Sequence, residues 1–185
     1  MSFNFNSNNK AGDLQNLTKL QQLNYTPLEN EIKSTFYPDF PKVPNPKDII
    51  QLLLLNIFDS NKLEEMIKKE TLVTDYNQIM EVIQSENKSF DVTNQFDNFF
   101  LFVCNKDIDE LLFKEIPYLV KHKEAIDDKN TYKLVQLPKG SYFSINAKKK
   151  VIPHGIFLIK YSSKDKQTIN KNALYMNITK NVSDI

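Results

Sequence analysis

Phe99-Phe100-Leu101-Phe102-Val103-Cys104 offers no polar side in any register, and a segment that is apolar on all sides must be buried on all sides. Periodicity does not separate a buried central strand from a buried helix turn in so short a run; the strand reading is adopted. Everything else in the chain then has to be placed around that strand.

What precedes it reads as helical. From Asp13, Leu14, Leu17, Leu20 and Leu23 recur every three residues, a narrow stripe on a helix that needs something to lie on. Thr26-Pro27-Leu28-Glu29 has the form of a capping box with Pro at the first helical position, and Leu28, Ile32 and Phe36 follow at helical spacing. Prolines 38, 41, 44 and 46, interleaved with Phe40 and Val43, make a stiff, extended strap. Asn45-Pro46-Lys47-Asp48 opens an apolar helix through Phe58, followed by helices at Lys62 to Lys69 and Asp75 to Ser85. Beyond the apolar run, Asp107-Ile108-Asp109-Glu110 starts a helix carrying Ile108, Leu111, Leu112, Ile116 and Leu119, bent or tightened at Pro117.

From Tyr132 onward the pattern changes to short β-rich runs: Tyr132 to Leu137, Ser141 to Ala147, Ile156 to Tyr161, and Ala173 to Thr179, where Leu174, Met176 and Ile178 alternate. The expectation is an α+β fold, with a helical N-terminal two-thirds, a small, mainly antiparallel β-sheet after it, and an extended N-terminal arm. The arm takes residues 1–44 and a single domain takes 45–185, mainly helical and acidic over 45–130, mainly β and basic over 131–185.

Charge follows the same division. Up to Val120 there are 11 Lys against 18 Asp and Glu, and from Lys121 there are 13 against 5, so a net charge of +1 conceals segments of −7 and +8. Such asymmetry bears on partners rather than on fold. All 24 basic residues are Lys, which removes bidentate guanidinium clamps on phosphate and Arg readout of guanine. The single Cys104 precludes an intramolecular disulfide and sits where a thiol packs as a small hydrophobe. The N-terminus lacks the basic and apolar regions of a signal peptide, and Leu52 to Leu55 falls far short of the roughly 20 residues of a membrane helix. A soluble, cytoplasmic protein without membrane insertion is expected.

Lys148-Lys149-Lys150, with Tyr142 and Phe143 before and His154, Phe157, Lys160 and Tyr161 after, is the strongest local feature. A loop tip presenting Lys and aromatics suits phosphates and bases; charged tips are also ordinary solvated turns, and that reading takes precedence. Asp107, Asp109 and Glu110 read as helix capping rather than metal ligands. His122 and His154 form no metal motif, and the apolar setting of Cys104 disfavours a reactive thiolate. Gly12, Gly140 and Gly155 are the only glycines and build no phosphate-binding fingerprint. No cofactor, metal or catalytic residue is expected.

These features lead to a non-catalytic subunit of a larger assembly such as a virion or injection machine. Its partners would be other protein subunits, including copies of itself, bound through complementary acidic and basic faces and through an arm presenting Leu14, Leu17, Leu20, Leu23, Phe36 and Phe40. The alternative is low-specificity binding of nucleic acid or another polyanion by Lys121, Lys123, Lys148, Lys149, Lys150, Lys160 and Lys164. A small enzyme whose site is assembled from dispersed residues is the third reading.

Overall fold

The apolar run is a strand covered on both sides. The computed structural model describes residues 38–85 and 95–183, and from Asp39 onward they belong to one compact unit. In chain order come α1 (Pro46–Leu53), extended by one π-helical turn (Leu54–Phe58), α2 (Leu63–Lys68), β1 (Leu72–Val73), α3 (Tyr76–Gln84) and β2 (Asn98–Val103). A 3-10 turn (Glu110–Leu112) follows, then α4 (Ile116–Ile126), β3 (Thr131–Gln136), α5 (Ser141–Ile145), β4 (Ile156–Tyr161), α6 (Lys166–Lys171) and α7 (Ala173–Asn181). The sheet has the order β1-β4-β2-β3, with β2 parallel to β3 and β4 antiparallel to both β1 and β2.

Side chains alternate across a strand, so β2 feeds two cores at once. Phe100 and Phe102 face Ile49 and Leu53 of α1, Ile145 of α5, and Leu174 and Ile178 of α7. Phe99, Leu101 and Val103 face Ile79, Val82 and Ile83 of α3 and Ile116 and Val120 of α4. Phe102 stacks on Phe157 with ring centroids 4.8 Å apart, and Phe99 stacks on Tyr132 at 5.2 Å. Helix starts follow local rules: Pro46 and Pro117 lie in first turns, and the side chains of Asp75, Asp165 and Asn172 accept from backbone N–H groups of α3, α6 and α7.

The described part of the proline strap packs on this body. Phe40 lies against the α3–α4 core and Val43 against the α1–α7 core. Between them, Gln136 Nε2 at the end of edge strand β3 donates to the Pro41 carbonyl at 3.3 Å. The strap thus passes from one layer to the other beside an open strand edge, where proline offers no spare donor. Leu14, Leu17, Leu20, Leu23 and Phe36 lie outside the described residues.

The α+β class fits, with seven α-helices and a four-stranded mixed sheet among the described residues. The order of helices first and sheet after is corrected, because strands are interspersed. Ala173 to Thr179 is helix α7, not a strand: Leu174 and Ile178 are buried while Met176 between them is 52% exposed, and residues four apart share a face on a strand and on a helix alike, whereas residues two apart do so only on a strand. Ser141 to Ala147 holds the short helix α5 instead of a strand. The helix expected from Asp107 begins only at Ile116, with Pro117 starting it rather than bending it. No helix among the described residues is long and apolar enough to cross a membrane.

Candidate functional site

β2 and β3 run side by side in the same direction, yet the chain leaves β2 for α4 on one face and leaves β3 for α5 on the other. Loops that diverge in this way open a crevice beyond the carboxyl ends of the strands, where ligands bind in open sheets of this kind. Because Val103 pairs with Ile156 at the start of antiparallel β4, residues 104–115, 137–140 and 146–155 all converge on this end.

Asp107 ties the convergence together. Its carboxylate accepts from the Gly140 N–H at 2.7 Å and the Tyr142 N–H at 3.0 Å, so the loop after β2 caps the start of α5. Gly140 adopts φ +94, and Gly155 adopts φ +68 while its N–H and C=O bond to Ile152 and Cys104. A methyl at Gly155 would overlap Cδ1 of Ile108, and the left-handed backbone adds strain. Gly155→Ala is therefore expected to lower stability by about 1–2 kcal/mol in urea unfolding, whereas an unchanged midpoint would mean the loops adjust freely.

The lysine loop is built into the same end. Asn146 Nδ2 donates to the carbonyls of Tyr142 and Ile152 at 3.0 and 3.3 Å, and its Oδ1 accepts from the Ile152 N–H at 2.8 Å. One amide therefore clamps both ends of 147–151, leaving Lys148, Lys149 and Lys150 exposed at the tip. Lys148 lies 3.5 Å from Asp59 and Lys149 lies 3.2 Å from Glu64. Lys106 and Lys139 are exposed on the neighbouring loops, and Phe143 on α5 is 68% exposed.

The other lysines of the sequence-derived set lie elsewhere. Lys123 is fully buried, with Nζ donating to the Ser85 carbonyl at 2.9 Å; desolvation lowers its pKa, against the opposing pull of Asp127. Lys121 is on the exposed side of α4. Lys160 near the far end of β4 lies over the Phe96 ring at 5.9 Å, and Lys164 follows β4 at that far end. The aromatics around the triplet also divide: Phe157 and Tyr161 are core, while the Tyr142 hydroxyl donates to the Pro153 carbonyl and His154 packs edge-on to Tyr76 at 6.4 Å. Lys106 and Lys139 went unnoticed as sequence candidates, although Pro138-Lys139-Gly140 directly after a β-rich run is a turn signal at a strand end.

The Cys104 thiol is buried, and burial, reinforced by the nearby Asp107 charge, pushes its pKa up to about 12. His122 stacks on Tyr118 on the outside of α4, away from His154. No group of His, Cys, Asp and Glu suited to a metal ion occurs among the described residues.

The acidic and basic segments are interleaved in the fold and meet in ion pairs. β2, from the acidic segment, is flanked by β3 and β4 from the basic one, and Lys148 and Lys149 meet acids about 90 and 85 positions earlier. Residues 27–182 match the model of a family described as RNase P subunit Pop3. No curated protein matches the chain. The family match overturns the expectation of a virion or injection-machine subunit, and it covers every element of the fold from α1 to α7. The chain belongs to the RNase P subunit Pop3 family.

Proposed function

We propose that this chain is a protein subunit of an RNA-processing ribonucleoprotein of the RNase P type, and that it holds the RNA of that complex through phosphate contacts at the loop end of its sheet. The family match over residues 27–182 carries this reading. Its location on the molecule rests on chemistry: Lys106, Lys139 and the clamped triplet Lys148 to Lys150 converge beside the exposed ring of Phe143, the combination that suits phosphates together with an unstacked base. With no Arg in the chain, the contacts are point charges that position the RNA backbone rather than clamps that read bases.

Other protein subunits are the second class of partner, as for any member of a multi-subunit particle. Nucleic acid moves from the alternative to the leading partner, and Lys123 leaves the contact set because its ammonium is committed to Ser85.

The test is the affinity of the purified full chain for the RNA that co-purifies with it, measured by filter binding across a salt series. Replacing Lys148, Lys149 and Lys150 by Ala is expected to weaken binding about tenfold and to flatten the salt slope by about 2, from roughly 0.7 per single-strand phosphate contact. Unchanged affinity with an intact fold would remove the lysine loop from the interface. Recovery of the chain free of RNA and of RNase P subunits would reject the reading as a whole.

A further inference from the structure

Two of the three lysines at the proposed RNA contact are already answered by carboxylates of the same chain. Lys148 meets Asp59 at 3.5 Å and Lys149 meets Glu64 at 3.2 Å, while Lys150 has no carboxylate partner among the described residues. The acids arrive from a different part of the sequence and are held in place by local structure. The π turn Leu54–Phe58 closes with the Asp59 N–H on the Leu54 carbonyl at 2.7 Å; a π turn takes up one residue more than an α turn and so re-aims whatever follows it. Phe58 is anchored edge-on to Phe157 at 5.2 Å, beside the start of β4 and hence at the loop end of the sheet. The Ser60 hydroxyl donates to the Ile57 carbonyl and its oxygen accepts from the Lys62 N–H, which fixes the bend into α2, where Glu64 stands in the first turn.

We propose that Asp59 and Glu64 act as intramolecular stand-ins for phosphate, screening the lysine loop so that an RNA must displace them to bind. This rests on the proposed RNA contact and adds the residues that set its selectivity. Lys148, Lys149 and Glu64 are largely solvent-exposed and Asp59 is 41% exposed, so the pairs add little to folding stability; their effect falls on binding. A polyanion that merely passes by meets a loop of three lysines and two carboxylates, so its net gain there is close to that of one lysine. An RNA whose phosphates are already arranged along the lysines and their neighbours Lys106 and Lys139 replaces both carboxylates at once and keeps the remaining contacts. Discrimination comes from weakening the wrong partner as much as from binding the right one.

The experiment compares three full-length proteins on poly(U), an RNA without defined structure, over a salt series. They are the unmodified chain, the double variant Asp59→Asn/Glu64→Gln, and a control, Glu81→Gln/Asp128→Asn. The control removes the same net charge from exposed positions on α3 and after α4. The screening variant is expected to bind poly(U) about tenfold tighter at low salt, with a slope steeper by about 1.4 as two lysines become available. The control is expected to change the affinity by less than about threefold, since the carboxylates paired with the lysine loop are Asp59 and Glu64 and the control leaves both in place. Equal gains in the two variants, or no gain in the screening variant, overturns the proposal, and so does absence of poly(U) binding by all three. Failure of the RNA-contact reading itself shows separately, as unchanged binding when Lys148 to Lys150 are replaced by Ala.

Discussion

Phe102→Ala is expected to cost about 3–5 kcal/mol of unfolding free energy, a large part of the roughly 5–15 kcal/mol available to a domain of this size. Phe102 is fully buried in the central strand and stacks on Phe157 at 4.8 Å with the rings 9° from parallel. Its environment comes from helices on the same side, through Leu53 of α1 and Leu174 and Ile178 of α7. Truncation removes the ring's transfer free energy and leaves a cavity that rigid strands on both sides, β3 and β4, cannot close. Urea unfolding followed by circular dichroism checks it, with Phe143→Ala as the comparison. That ring is 68% exposed, and its loss should stay within about 0.5 kcal/mol. A loss below about 1 kcal/mol for Phe102→Ala would mean that the sheet is not sealed on that face.

The same strand shows how far the sequence could be read. Apolar residues on every side of 99–104 point to burial on both faces, and β3 and β4 declare themselves as short β-rich runs. Asp75 at the head of α3 and Pro46 in the first turn of α1 are local signals, legible without a structure. The misread elements share a different cause. In α7 the spacing of Leu174 and Ile178 satisfies both periods, Met176 between them fits only the strand, and the local helix signal is Asn172, whose side chain accepts from the Tyr175 N–H at 2.9 Å. In α5 the cap is supplied from Asp107, 33 and 35 positions away, so no window of local sequence contains it. β1 is two residues long and exists because β4 offers it an edge.

The candidate site was legible as residues and illegible as an arrangement. Lys148 to Lys150 stand out in any reading, but that Asp59 and Glu64 answer two of them depends on a π turn and on Phe58 meeting Phe157. Conversely, Lys123 looks like one more basic residue until burial and the Ser85 carbonyl take it out of the surface set. Summed charge along the chain suggested an acidic and a basic face; in the fold β2 lies between β3 and β4, and Lys148 and Lys149 of the basic segment meet Asp59 and Glu64 of the acidic one. Chain position sets the composition of a segment, and pairing decides what that composition faces.

Asp107 gives the loop end its sharpest test, because it is a third carboxylate there whose removal should act in the opposite direction from that of Asp59 and Glu64. Two charge-assisted hydrogen bonds, to the N–H groups of Gly140 and Tyr142, are lost in Asp107→Ala, and the expected destabilisation is about 2–3 kcal/mol. Asp107→Asn should recover little of it, since an amide can accept one of the two N–H groups but turns its own donor toward the other. For RNA binding, electrostatics alone would have any lost carboxylate strengthen the hold on phosphate. If Asp107 instead positions the α5 end of the lysine loop, through Tyr142 and the Asn146 clamp, its loss weakens RNA binding although the protein becomes more positive. Affinity measured under conditions where Asp107→Ala remains folded separates the two. Weaker binding identifies a positioning residue, whereas tighter binding would show that the loop end keeps its shape without the tie and that Asp107 belongs with Asp59 and Glu64 as a screen.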